Sequence, residues 1–317
     1  MILHADPCDV MRGSVGDCWL LSAISAIAEY DRTIAWLFRK TPGLRSMPRD
    51  KPNTYIVTLK DVETWEDVDI AVDERLCTTS NGDHLFGCSP SVDGELWACY
   101  LEKAVAAHCG GWDKIDGAIC VAAWRMLLGV RDQYLFERDD EGMWEALRDF
   151  DPNKQRWAEF SNSGDISDWW RSVWPEVGGG GQLGEKVSQD DMFRRMALWE
   201  DADFLMACGT EAGSDKSKND GIYYGHAYTI LRVEEDVAGS GINMLQVRNP
   251  HGKGELETGI WDDDGPGWGR YPEVKVALRP VQVDDGIFWM QQHEFFQHFR
   301  TVQLSAACMN NFHASKH

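Results

Sequence analysis

A glycine-punctuated loop ahead of an apolar helix carries Cys18, the residue best suited to nucleophilic chemistry. The segment Arg12-Gly-Ser-Val-Gly-Asp-Cys-Trp-Leu-Leu21 puts this thiol in the first turn of a predicted helix. The unpaired N–H groups of a helix N-terminus carry about half a positive charge and stabilise a thiolate, and the N–H of Cys18 can donate to a developing oxyanion. Gly13 and Gly16 permit close approach. The segment alone fits a buried structural thiol equally well.

A cysteine nucleophile needs a base and a group that orients the base. His226 opens a predicted strand, and Asn249 ends another, 249 − 226 = 23 residues later, which is about two strands and a turn. Neighbouring strands would place the imidazole beside the amide, which can accept from Nδ1–H and leave Nε2 for proton transfer. Taken singly, the histidine fits a structural role and the Asn-Pro step fits a turn.

The elements that would carry Cys18 are mostly helical. Apolar residues recur at helical spacing from Trp19 to Ala28 and again from Glu95 to His108, which predicts two buried helices. Between them, Thr54 to Leu59 and Val68 to Val72 are of strand length and composition, which predicts a small hairpin. The first lobe is therefore expected to be helical with a minor sheet.

The elements that would carry His226 and Asn249 are strands. From about Ala202, short β-branched and aromatic runs separated by turn residues predict a sheet-rich second lobe; the runs are Phe204 to Cys208, His226 to Val233, Asn243 to Val247 and Gly286 to Met290. Residues 138 to 190 hold many acids and a tetraglycine, and we interpret them as an insertion with a flexible tail. The insertion contains Trp144, Trp157, Trp169, Trp170 and Trp174.

The composition excludes several classes of function. With 31 Lys and Arg against 52 Asp and Glu, the net charge of −21 disfavours nucleic acids and anionic membranes as partners and favours cations, including metal ions. No segment resembles a targeting peptide or a membrane span. The nine cysteines are scattered without a CxxC pair, which indicates free thiols in the cytoplasm rather than disulfides or a zinc knuckle.

Three segments together resemble the calpain family of cysteine proteases: Gly16-Asp-Cys-Trp-Leu-Leu21, Gly225-His-Ala-Tyr228 and Arg248-Asn-Pro250. Their order and contexts match the family's signatures. Further similarity covers nearly all of the chain except residues 138 to 190; it lies at Ile70 to Leu76, Leu85-Phe86, Leu96-Trp97, Leu101 to Ala104, Gly259 to Trp261, Trp268 and Asp285 to Met290.

The resemblance implies an α+β fold, a papain-like protease core with a helical lobe, an antiparallel-sheet lobe and a substrate cleft between them. We expect the helical lobe at 1–129, carrying Cys18, and the β-rich lobe at 130–317, carrying His226 and Asn249. In the family, calcium binding in each lobe closes the lobes and aligns the catalytic pair. The matching hinge lies near Leu128-Gly129. Because the family's core begins well before its catalytic loop, the first lobe is expected to be truncated.

The resemblance also implies calcium ligands in both lobes. In the first lobe the family's acids match Asp9 and Glu102, which suit a hard cation. In the second lobe they match Glu255, Asp263 and Asp285. Acidic loops in a chain of this charge also fit plain solvated surface.

Three positions depart from the family's pattern. The acid expected two residues after Asp285 is Ile287, so the second calcium site lacks a ligand. The glutamine expected six residues before the cysteine, an oxyanion donor, is Arg12, and loss of one such donor costs about 10²- to 10³-fold in rate. The tryptophan expected after Asn-Pro, which shields the catalytic pair, is His251.

The resulting prediction is a calcium-dependent, cytoplasmic cysteine endopeptidase that performs limited proteolysis of protein substrates. Cys18 attacks, His226 moves the proton, Asn249 orients His226, and the Cys18 N–H with Arg12 binds the oxyanion, while Trp19 packs in the core. Regulatory domains or subunits are possible partners.

Three alternatives remain from the sequence. The first is a catalytically weak or inactive calpain-like module that binds proteins or calcium, with a site damaged at Arg12 and His251. The second is acyl transfer of the transglutaminase type, which normally orients its histidine with an acid rather than with an asparagine such as Asn249. The third is metal binding through cysteine and histidine. This alternative is disfavoured because Cys18 and His226 have no neighbouring ligands at zinc spacing.

Overall fold

The computed structural model describes residues 5–30, 32–42, 52–82, 85–91, 94–130, 132–151, 156–158 and 186–311. The chain forms two compact units. The first comprises Met1–Arg131 with Pro250–Gly252, and the second comprises Asp132–Asn249 with Lys253–His317. Helices and antiparallel sheets occur in the same chain, so the predicted α+β class is confirmed.

The first unit is built on helices and one hairpin. Its elements are α1 (Cys18–Ala28), α2 (Thr33–Leu37), β1 (Thr54–Lys60), β2 (Asp67–Asp73), α3 (Trp97–Cys109) and α4 (Cys120–Leu128). The predicted helices and hairpin are confirmed, with β1 and β2 paired antiparallel. Gly129 ends α4 in the left-handed region at φ 70°, which glycine adopts without a side-chain clash.

Helix α1 is the central helix of this unit. Every residue from Trp19 to Ala28 is buried, so the predicted buried helix is confirmed, and it is buried around its whole circumference. The Trp124 Nε1–H of α4 donates to the Ala23 carbonyl over 3.1 Å. The rings of Tyr55 and Tyr100 stack at 4.3 Å and join the hairpin to α3. Cys18 is thus delivered by a helix fixed on all sides.

The second unit is built on strands. These are β3 (Gln133–Arg138), β4 (Trp144–Asp151), β5 (Arg156–Ala158), β6 (Leu205–Thr210), β7 (Lys218–Asn219), β8 (Ile222–Tyr223), β9 (Ala227–Glu234), β10 (Met244–Arg248), β11 (Ile287–Gln291) and β12 (Phe299–Ser305). Eight form one antiparallel sheet in the order β11-β10-β9-β6-β12-β3-β4-β5. The four strands predicted after Ala202 are confirmed as β6, β9, β10 and β11.

The described part of the second unit also contains four helices: α5 (Gln189–Asp201), α6 (Gly267–Arg270), α7 (Pro272–Leu278) and α8 (Gln292–His298). The larger core includes Phe136, Trp144 and Trp199, all almost fully buried. A smaller core contains Trp261 and Trp268, whose rings meet edge to face at 4.8 Å.

The segment interpreted as an insertion is partly described. Its first residue, Arg138, is the last residue of β3, and β4 and β5 extend the same sheet. The tetraglycine and three of the tryptophans, at 169, 170 and 174, lie outside the described residues. Along the part of the chain that the structure covers, no helix combines the length and apolar character needed to cross a bilayer.

Candidate active site

Cys18 is the first residue of α1 and is partly exposed. Asp17 directly precedes the helix, and its carbonyl accepts from the N–H groups of Leu20 and Leu21 at 2.9 and 3.1 Å. The loop before it is packed too tightly for side chains: a Cβ on Gly13 would lie 1.8 Å from the Gly87 carbonyl oxygen. The glycine therefore allows the close approach that its position predicted.

Trp19 packs in the core beside this helix start. It is 3% exposed, and its Nε1–H donates to the Ile115 carbonyl over 2.9 Å. The predicted packing role is therefore confirmed, because the indole is buried and its one donor is engaged.

Arg12 is held at three points within the first unit. Its Nε–H donates to the Val15 carbonyl over 2.9 Å, and its backbone N–H donates to the Pro250 carbonyl over 2.8 Å. Its Nη1 lies 3.0 Å from Nε2 of His251. Arg12 and His251, two of the three positions that depart from the expected residues, are therefore direct neighbours.

His226 precedes β9 and is 3% exposed. Its backbone N–H donates to Thr210 Oγ1 over 3.0 Å, and the Tyr228 ring meets the imidazole edge to face at 5.0 Å. Gly225 turns the chain into this position at φ 54°, where a Cβ would lie 2.4 Å from the Gly213 carbonyl oxygen. The imidazole is therefore oriented by backbone and aromatic contacts together.

Asn249 lies beside His226, as the strand arrangement predicted. β9 and β10 pair antiparallel, with Thr229 opposite Arg248. The fully buried Asn249 places Oδ1 3.2 Å from His226 Nε2. Its Nδ2–H donates to the Lys253 carbonyl over 3.0 Å, which fixes the direction of the amide.

The ring nitrogen that faces the amide differs from the prediction. Since Nδ2 of Asn249 already donates, Oδ1 is the acceptor, and Nε2 of His226 is the nitrogen that carries the proton. The expectation that Nδ1 faces the amide was therefore wrong. Sequence spacing placed the two residues together but could not decide the rotation of the ring.

A group of acids in the second unit repel one another. Burial, followed by the charge of Asp263, raises the pKa of Glu255 to about 7. Burial, followed by the charge of Asp285, raises the pKa of Asp263. The Asp263 N–H donates to Glu255 Oε2 over 3.1 Å, and the Ile287 N–H donates to Asp285 Oδ1 over 2.8 Å. Carboxylate oxygens that repel one another suit a hard cation, because the ion would offset their negative charges.

The two acids expected to share a cation in the first unit have different partners. Asp9 Oδ2 accepts from Trp97 Nε1–H over 3.0 Å at the start of α3. Glu102, five residues further along α3, is 1% exposed, and both of its carboxylate oxygens accept from the Cys88 N–H at 2.8 and 3.0 Å. Its carboxyl also lies against that of Asp17, and burial raises the pKa of both groups.

Within the ranges that the structure describes, no three Cys, His, Asp or Glu side chains converge closely enough to hold a metal ion. The acids of the second unit therefore have the chemistry of a calcium site without its converged geometry. Those of the first unit do not fit a shared site as they stand.

Sequence reasoning missed several residues that position the site. Thr210 holds the backbone of His226, and Tyr228 packs against its ring. The spacing of two residues between His226 and Tyr228 was a usable signal, because alternate residues share one strand face. Asp17 as the partner of Glu102 had no signal, since the two residues lie in different elements.

The chain is similar to known cysteine proteases. The family model described as calpain family cysteine protease matches residues 1–306. The calpain-2 catalytic subunit of Gallus gallus is 28% identical over 298 residues, which is 93% of this chain and 35% of that protein. Calpain clp-4 of Caenorhabditis elegans is 25% identical over 93% of this chain and 34% of its own length.

A plant protein is similar as well. The calpain-type cysteine protease DEK1 of Arabidopsis thaliana is 26% identical over 95% of this chain, but over 11% of its own length. The chain thus spans about a third or less of the curated relatives it matches. Since the family model covers almost every residue, the chain belongs to the calpain family of cysteine proteases, and its α+β fold is the papain-like core of that family.

Proposed function

We propose that the chain is a calcium-dependent cysteine endopeptidase that performs limited proteolysis of exposed, extended segments of proteins. The buried hydrogen bond between His226 Nε2 and Asn249 Oδ1 supports this proposal most directly. A hydrogen-bonded, buried histidine–amide pair with a defined tautomer is the arrangement that a cysteine nucleophile requires of its base. Family membership and the position of Cys18 at a helix start support it as well.

The chemistry begins with the Cys18 thiolate, which attacks the scissile carbonyl and forms a C–S bond. His226, having taken the thiol proton at Nδ1, donates it to the amine as the C–N bond breaks. Water then attacks the thioester, His226 takes one of its protons, and Cys18 leaves as the carboxylic acid forms. Asn249 holds the imidazole through Nε2 during both proton transfers.

The oxyanion is proposed to bind the Cys18 N–H and the guanidinium of Arg12. An N–H at the first residue of a helix is a preorganised donor, and a guanidinium adds a charged one. Charge-assisted hydrogen bonds are about twice as strong as neutral ones, so arginine suits the negative oxygen electrostatically. Its length is the disadvantage relative to glutamine, because a longer side chain has more rotamers to restrict.

Calcium is proposed to bind in the second unit through Glu255, Asp263 and Asp285. When bound, the ion supplies the positive charge that offsets the repulsion among these carboxylates. Their raised pKa values support the proposal. The side chain of Ile287 offers no ligand. In the first unit, a site at Asp9 and Glu102 stays a prediction, because Glu102 would have to exchange its present partners.

Protein substrates, regulatory domains or subunits, and a cytoplasmic location belong to the same proposal. The cytoplasm is supported by the scattered cysteines without a CxxC pair.

The decisive experiment is cleavage of an unfolded protein by the wild-type chain across a calcium titration, with chelator controls. Cys18→Ala should abolish cutting. Cys77→Ala, which removes an exposed cysteine of the same unit, should leave it intact. Cutting that survives in Cys18→Ala, or a folded wild-type chain that cuts nothing at saturating calcium, would refute the protease proposal.

The calcium component is tested separately with Glu255→Gln. This variant should need more calcium for half-maximal cutting, whereas Glu273→Gln, an exposed acid on α7, should not. Equal calcium requirements in the two variants would remove Glu255 from the proposed site.

A further inference from the structure

Arg12 and His251 are 239 residues apart in sequence and in contact in the first unit, with Nη1 and Nε2 separated by 3.0 Å. We propose that the two side chains act as one unit, in which His251 is a positioning residue that fixes the guanidinium of Arg12 for oxyanion binding. The inference rests on the proposed function, and it gives His251 a role beyond replacing a shielding tryptophan.

The guanidinium is held through two of its nitrogens. The Nε–H donates to the Val15 carbonyl over 2.9 Å, and Nη1–H donates to Nε2 of His251 over 3.0 Å. Because the guanidinium is planar, two bonds from different nitrogens fix both the position and the plane of the group. With the hydrogen bond to Val15 alone, the guanidinium could still rotate about that bond. His251 therefore supplies the second restraint.

His251 can play this part only as an acceptor. A guanidinium has no acceptor atom and does not lose its proton, so Nε2 of His251 must be bare, with the imidazole proton on Nδ1. A tryptophan at this position would present only an N–H donor and could not accept from Arg12. Arginine at position 12 is therefore matched to histidine at position 251.

The backbone reinforces the same contact. The Arg12 N–H donates to the Pro250 carbonyl over 2.8 Å, one residue before His251. The Met11 side chain lies against Gly252, where a Cβ would approach it to 3.1 Å. The loops that carry Arg12 and His251 are thus joined by main-chain and side-chain contacts, so the acceptor is presented at a defined place.

The functional consequence is preorganisation. An oxyanion donor accelerates the reaction only if it is already in place when charge develops. Arginine has more rotatable bonds than the family's glutamine, so an unrestrained guanidinium would spend much of its time elsewhere. By fixing it, His251 should raise kcat and change KM little, because the contact matters in the transition state.

The test is a double-mutant cycle on peptide cleavage with Arg12→Ala, His251→Ala and the double variant, each checked for folding by thermal unfolding. We expect His251→Ala to lower kcat roughly tenfold with KM within about twofold, a loss smaller than that of a complete oxyanion donor. The double variant should be no slower than Arg12→Ala alone. His251→Gln, whose side-chain carbonyl can accept, should recover most of the rate. His293→Ala, an exposed histidine of the second unit, is the control.

Independent, multiplicative effects of the two single substitutions would overturn the proposal, as would a loss in His251→Ala that falls on KM alone. If His251→Ala fails to fold, a folded His251→Gln that recovers little of the wild-type kcat would overturn it as well. A wild-type chain with a reactive Cys18 thiol but no turnover would instead refute the proposed function, and with it this role of His251. Wild-type turnover with a purely additive cycle would refute only the pairing.

Discussion

Replacing Asn249 with alanine should slow peptide cleavage by roughly 10- to 150-fold. The side chain accepts from His226 Nε2–H over 3.2 Å and donates to the Lys253 carbonyl over 3.0 Å, so alanine leaves both groups without this partner. During catalysis the imidazole is protonated, and a hydrogen bond to a charged group contributes about 1.5–3 kcal/mol. At about 1.4 kcal/mol per tenfold in rate, this gives the stated range.

Asn249→Asp separates the two bonds. Aspartate keeps an acceptor for His226, but its second oxygen then faces the Lys253 carbonyl, which is also an acceptor. The two oxygens repel, so this variant should not recover the wild-type rate even though its charge favours an imidazolium. A carboxylate that did restore full activity would show that the amide's fixed direction is unimportant.

The assay is kcat and KM on a fluorogenic peptide at saturating calcium, with thermal unfolding measured on the same samples. Asn243→Ala is the matched control, because Asn243 also uses both amide atoms in hydrogen bonds within the second unit, to Gln292 and to the Asp236 N–H. It should lower stability without lowering kcat/KM. A change of less than twofold in kcat/KM for Asn249→Ala would refute the reasoning.

Other predictions concern charge and backbone. Burial raises the pKa of Glu200 to about 8, so the folded chain holds this proton more tightly than the unfolded chain does, and stability should fall as pH rises from about 5 to 8. Glu200→Gln should remove up to about 4 kcal/mol of this pH-dependent loss of unfolding free energy, measured by urea unfolding. An unchanged pH dependence would contradict the prediction. Gly225→Ala should lower kcat/KM by displacing His226. Gly239→Ala, also at positive φ but with open space around it, should lower stability only. Equal kcat/KM values in the two variants would contradict the importance of the close approach at Gly225. Because the pKa of Glu255 is raised to about 7 and calcium requires the carboxylate, half-maximal calcium should rise between pH 8 and pH 6, and a flat response would argue against this ligand.

Much of the fold could be predicted because its patterns are local. Helix α1, the hairpin β1–β2 and the strands β6, β9, β10 and β11 follow from apolar periodicity and turn residues. The periodicity also predicted that α1 is buried, whereas its burial on every side depends on what packs around the helix. The membership of β4 and β5 in the large sheet likewise could not be predicted, because it depends on a sheet whose other strands are mostly distant in sequence.

The candidate site divides in the same way. The chain's own residue types and order single out Cys18, His226 and Asn249 as candidates for a nucleophile, a base and an orienting amide, because such residues have recognisable local contexts. Tertiary structure alone decided that Nε2 faces Asn249, that Glu102 lies against Asp17, and that Arg12 meets His251. The physical reason is that a side chain's type is written at one position, whereas ring rotation and hydrogen-bond partners are set by groups that only folding brings within about 3 Å.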